Sequence, residues 1–84
     1  MVYLLQSYYY DKYMSSNKDL STLAKNIRKL RKKKNLSQDK LSKLANIAHN
    51  TIIKIESGLI KNPKIETVQN IADALGVSLD ELTK

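Results

Sequence analysis

Apolar positions recur at helical spacing along most of the chain. Leu20, Leu23, Ile27 and Leu30 follow one another at three- and four-residue intervals, which predicts an amphipathic helix. Asp19 or Ser21 can cap it. Its other faces carry Lys25, Arg28, Lys29, Arg31, Lys32, Lys33 and Lys34. Asn35, at ease in left-handed backbone, marks its end, and basic residues in the last turn suit the negative end of the helix dipole. Ser37 caps a second helix over 38–45, with Asp39 in its first turn and Leu41, Leu44 and Ala45 as its buried face. Asn46 is a turn residue and Ile47 an apolar plug behind it. A third helix over about 49–57 buries Ile52 and Ile55 and stops at Gly58. Residues 59–64, with Pro63, form a loop. A fourth helix over about 65–75 turns Val68, Ile71, Ala72 and Leu75 inward and stops at Gly76. Ser78 opens the last helix, with Glu81 three residues on completing a capping box. The pattern predicts an all-α fold of five short helices in residues 19–84.

Residues 1–18 are different. All five tyrosines (Tyr3, Tyr8, Tyr9, Tyr10 and Tyr13) lie there, so the rest of the core must be aliphatic. The polar stretch 14–19 separates this N-terminal arm from the main domain. Such a density of aromatics is a poor composition for disorder and usually finds a packing partner. Val2, Leu5, Tyr9 and Tyr13 fit helical spacing, while the tyrosine run favours a strand. The arm reads as a tail, as an element that completes a dimer, or as a patch for another protein.

Composition narrows the function. The 84 residues hold 15 Lys+Arg against 8 Asp+Glu, a net charge of +7. Residues 18–34 alone carry eight basic side chains and one acid. Such a pole seeks a polyanion. With no cysteine there is no disulfide, thiolate metal site or thiol nucleophile, and one histidine cannot build a zinc site. Two glycines leave no room for a Gly-rich phosphate loop. The expectation is therefore a protein without catalytic residues, metal or cofactor, and not an enzyme. No apolar run approaches the roughly 18 residues of a membrane span, and the N-terminus lacks the basic start and long apolar stretch of a signal peptide. The chain is expected to be soluble and cytoplasmic, associated with the nucleoid and not with a membrane.

The helices at 38–45 and 49–57, joined by a tight turn, form a helix-turn-helix. Ala45 is small where the helices cross, and Ile47 and Ile52 lock the second helix against the first. That leaves His49, Asn50, Ile53, Lys54 and Ser57 facing outward. A helix of this kind fits the major groove of DNA.

From Leu36-Ser37-Gln38 through Leu41, Leu44-Ala45, Thr51-Ile52, Ile55-Glu56-Ser57-Gly58, Asn62-Pro63 and Ala74-Leu75-Gly76-Val77-Ser78-Leu79, the chain resembles the Cro/phage-repressor (Xre-like) helix-turn-helix domain. With Ile27-Arg28-Lys29-Leu30-Arg31, the resemblance covers about residues 20–82. It implies a transcriptional regulator, a repressor, that binds double-stranded DNA as a homodimer on a palindromic operator. Gln38 matches a position that contacts phosphate and braces the recognition helix. His49, Asn50 and Lys54 match base-reading positions, and Thr51 one that touches backbone or a thymine methyl. Lys61 and Asn62 lie in a loop whose amides meet phosphate, and Lys64 matches a position near the minor groove. Arg31 matches a residue that pairs with the glutamate standing here as Glu56, with a secondary phosphate role.

Three positions depart from the family's pattern. Ala48 stands where the recognition helix usually has a capping Ser or Thr. Lys40 stands where a glutamate usually completes a capping box with Ser37, and Lys64 replaces a capping Ser. Ile53 either meets a thymine methyl or is simply tolerated on a polar face. The basic run from Arg28 to Lys34 either faces phosphate or is a solvated face. The rival function is an antitoxin that regulates its own promoter through the same domain and holds a toxin through the N-terminal arm.

Overall fold

The computed structural model describes residues 21–84, and the expected Tyr-rich arm at 1–18 lies outside them. The described residues form α1 (Thr22–Lys33), α2 (Gln38–Ala45), α3 (His49–Ser57), α4 (Ile65–Leu75) and α5 (Leu79–Thr83), with no strand among them. Helix α1 packs on α3, α4 and α5; α2 packs on α3 and α4; α4 packs on α5.

Side chains chosen for the purpose begin three of the helices. The Ser21 hydroxyl accepts from the Ala24 amide at 3.2 Å, Ser37 from Lys40 at 3.0 Å, and Ser78 from Glu81 at 3.0 Å. At Ser78 the Glu81 carboxylate also accepts from the Ser78 amide, closing the capping box. Helices α3 and α4 start at Ala48 and Lys64, and neither has a side-chain cap.

The helix ends follow one rule. After α1, α2 and α4 comes a left-handed residue, Asn35 (φ 56°), Asn46 (φ 55°) or Gly76 (φ 71°). The next residue is apolar, and its amide reaches back five positions: Leu36 to the Arg31 carbonyl, Ile47 to Ser42, Val77 to Ala72. These are Schellman closures. Leu36, Ile47 and Val77 each pack on the core, so every turn also buries a side chain. Helix α1 itself ends at Lys33, two residues before Asn35. Helix α3 ends differently. Gly58 is left-handed (φ 86°), and the chain doubles back until the Ile60 amide meets the Lys54 carbonyl at 3.1 Å.

Among the described residues the core is aliphatic: Ile27, Leu41, Ala45, Ile52, Ile55, Val68, Ile71, Ala72, Leu75 and Leu82 are buried together. Asn26 donates to the Leu82 carbonyl at 2.9 Å and so ties α1 to α5. Two expectations need correction. Leu44 is 53% exposed and does not belong to the buried face of α2. On a helix of 100° per residue, buried Leu41, Ser42 and Ala45 centre on a direction about 100° away from Leu44. Ser57 is buried and does not join the outer face of α3, because the returning chain after Gly58 covers it; its hydroxyl donates to the Lys54 carbonyl at 3.1 Å.

The missing cap at α3 generates a stability prediction. Ala48 already has cap-like backbone (φ −59°, ψ 139°), close to that of Ser21, Ser37 and Ser78. Ala48→Ser supplies the absent acceptor and should raise unfolding stability by about 1 kcal/mol. In urea melts the midpoint should rise with an unchanged slope. An unchanged midpoint would mean that the first amides of α3 need no cap.

Candidate nucleic-acid interface

Helix α3 has two unlike sides. Ile52, Ile55 and Glu56 point inward and are buried. Asn50 and Lys54, one turn apart on the opposite side, are exposed, and Thr51 and Ile53 flank them half-buried. Helix α2 sits beneath α3, held by the turn 46–48, with Ala45 buried at the crossing. Three residues between α2 and α3 suffice because Asn46 adopts left-handed backbone and Ile47 packs against the core.

A polar cluster fixes the inner edge of α3. The Arg31 guanidinium donates through Nε to Glu56 Oε2 at 2.7 Å and through Nη2 to Oε1 at 3.0 Å, a two-point pairing of fork to carboxylate. Its Nη1 donates to the Leu36 carbonyl at 2.8 Å. Gln38 Nε2 adds a bond to Glu56 Oε1 at 3.3 Å. The Arg31 and Glu56 side chains are 11% and 4% exposed, so water screens the pair little. The cluster joins α1, the turn after it, the start of α2 and the inner side of α3.

His49 begins α3, about a third exposed. Its Nδ1 lies 3.8 Å from Asp39 Oδ1 on α2, and its Nε2 is buried. Asp39 Oδ2 takes the Lys43 ammonium at 3.1 Å. The imidazole of the free protein is thus turned toward α2, unlike Asn50 and Lys54. Lys61, Asn62 and Lys64 are exposed in the segment between α3 and α4, and Arg28 is half-buried on the flank of α1. The structure therefore brings Arg31, Gln38 and Glu56 together, sets Asn50 and Lys54 on one outer edge, and leaves Lys61, Asn62 and Lys64 on a separate loop. Two contacts have no signal in the sequence pattern: the Leu36 carbonyl as an Arg31 acceptor, and Asp39 beside His49. Both cross a turn, where helical periodicity says nothing.

Removing one partner from a buried pair leaves a charge stranded, at a cost of roughly 3–5 kcal/mol, whereas replacing both by apolar groups is often neutral. Glu56→Leu should destabilise by that amount. Arg31→Met with Glu56→Leu should recover most of it. Denaturant melts of the two single variants and the double variant check this as a cycle. Small additive losses would contradict a buried, coupled pair.

No helix among the described residues is long and apolar enough to cross a membrane, and no group of three or more His, Cys, Asp or Glu among them could hold a metal. No curated protein and no solved structure matches the chain significantly. A family model described as helix-turn-helix matches residues 27–82, which span α1 from its second turn to the buried Leu82 of α5 and include the whole polar cluster. The chain belongs to the Cro/phage-repressor (Xre-like) helix-turn-helix family and is a DNA-binding transcription regulator.

Proposed function

We propose that this regulator is a repressor that binds a palindromic operator as a homodimer, with α3 in the major groove. The observation that carries the reading is the outer edge of α3: Asn50 and Lys54 project from a helix whose inner side is locked to the body by Ile52, Ile55 and the Glu56 pairing. A two-fold would set two such helices about 34 Å apart, one turn of duplex. Asn50 suits an adenine edge, donating to N7 and accepting from the N6 amino group, and Lys54 suits guanine O6 and N7. His49 reads beside them after its ring swings away from Asp39. Thr51 and Ile53 offer methyl groups to thymine. Gln38, Lys61, Asn62, Lys64 and Arg28 hold the phosphate backbone and set the register, as such contacts do without carrying sequence information. Arg31 acts chiefly through Glu56, since Nε, Nη1 and Nη2 are all engaged within the protein. Bound at a promoter, the dimer represses by occupying the polymerase's site.

Selection of bound duplexes from random DNA tests this. The expected product is an inverted repeat with half-sites about one helical turn apart. Asn50→Ala and Lys54→Ala should each relax preference at one position per half-site, worth about 1–3 kcal/mol, while Lys61→Ala should weaken all sequences alike. A single unrepeated half-site would contradict the dimer. A failure to enrich any sequence would contradict base reading by α3.

A further inference from the structure

The exposed side of α1 is a continuous stripe of lysine. The helix Thr22–Lys33 contains no acidic residue. Its inner side holds Ala24 and Ile27, with Arg31 turned to Glu56. On the opposite side Lys25, Lys29, Lys32 and Lys33 are all exposed. At 1.5 Å of rise per residue they cover about 12 Å of the helix. Lys34 does not belong to the stripe. Its ammonium lies at the end of α4, within 3.4 Å of where a β-carbon on Gly76 would stand.

The direction of the stripe matters. Helices α1 and α3 pack through their inner sides, which the Arg31–Glu56 bond joins directly. Their outer sides therefore point away from each other, the lysines one way and Asn50 with Lys54 the other. The axes of two packed helices alone lie about 8–10 Å apart, and the side chains on their outer sides add to that. The separation exceeds the Debye length of about 8 Å at physiological salt, so charge on the far side adds little to the hold on DNA beneath α3. The chemistry of the stripe also selects its partner. Protein interfaces are depleted of lysine and centre on an apolar core, and this face presents no apolar side chain. Flexible point charges without planar, directional donors suit a phosphate backbone of any sequence.

We propose that the lysine stripe of α1 is a second duplex-DNA surface, indifferent to sequence, which takes a second segment of duplex while α3 holds the operator. This rests on the reading of α3 given above. Lys25, Lys29, Lys32 and Lys33 bind its phosphates. The regulator then bridges two duplexes, or two distant stretches of one.

The test uses the full chain and beads carrying a duplex with the site selected from random DNA. Retention of protein on the beads reports operator binding, and capture of a labelled duplex of scrambled sequence reports the second surface. The wild-type protein should capture the second duplex, less so as salt rises. The variant K25Q/K29Q/K32Q/K33Q should lose capture about tenfold or more, since four charges per subunit are removed, with operator retention within about twofold. The variant K25R/K29R/K32R/K33R keeps the charge and should keep capture. Absence of wild-type capture on beads that retain the protein overturns the proposal and leaves operator binding intact. Equal loss of capture and retention in the glutamine variant also overturns it, because the stripe would then lie on the operator duplex itself. Unchanged capture by that variant overturns it as well. So does a glutamine variant that lowers self-association in DNA-free protein without affecting capture, since the stripe would then be a contact between copies of this chain. Failure of the wild-type protein to stay on the beads counts against the reading of α3, not against the stripe.

Discussion

The pairing of Arg31 with Glu56 is the constraint on which the working face depends. One guanidinium reaches from α1 to the inner edge of α3 and, with its remaining arm, to the carbonyl of Leu36 in the turn before α2. Gln38, the first residue of α2, reaches the same carboxylate. Three helices are therefore referred to one buried carboxylate. Such a pair is weak as a source of net stability, because desolvating two charges costs about what their attraction returns. Its effect is on geometry. A slip of α3 along its axis, or a rotation of one residue, would strand Glu56 in the core and turn Ile52 outward. The outer edge with Asn50 and Lys54 is held in one register for the same reason.

Around this pairing the body is assembled from small, consistent choices. Among the described residues the core contains no aromatic ring, so shape comes from aliphatic side chains packed from five helices. The turns hold themselves: a left-handed Asn or Gly, then an apolar residue whose amide closes the helix and whose side chain enters the core. The rule is relaxed at the starts of α3 and α4 and at the end of α3, the segments proposed to meet DNA. Helix α3 has no side-chain cap at its start and an open, doubled-back end at Gly58, and α4 starts at an uncapped lysine. Helix ends without a side-chain cap lack one stabilising bond each, and in the proposed complex that leaves them freer to adjust to a duplex.

Most of the fold is legible in the sequence because its signals are local. Ser21, Ser37 and Ser78 announce helix starts, and Asn35, Asn46, Gly58 and Gly76 announce ends, since few residues tolerate the backbone needed there. The spacing of Ile52 and Ile55, or of Val68, Ile71, Ala72 and Leu75, gives the inner faces directly. Leu44 misleads because an eight-residue helix has too few positions to define its buried side, and hydrophobicity outvotes geometry. Ser57 misleads because its burial depends on the path of the chain after Gly58. The site is less legible than the fold. Arg31 and Glu56 are 25 residues apart, and only the family resemblance, not periodicity, connects them. The approach of Asp39 to His49 crosses a turn whose angle no local pattern encodes, and with it goes the inward turn of the imidazole.

A basic body that holds a reading helix in fixed register should bind duplex DNA in two separable parts, one electrostatic and one set by the bases. The affinity for the selected site and for a scrambled duplex, each followed over a salt series, measures both at once. Log affinity should fall steeply with log salt for both, with a slope of about −0.9 for each phosphate neutralised. The selected site should stay tighter by a factor of about 10³ or more. A flat slope would contradict the electrostatic hold, and equal affinities for the two duplexes would contradict base reading by α3.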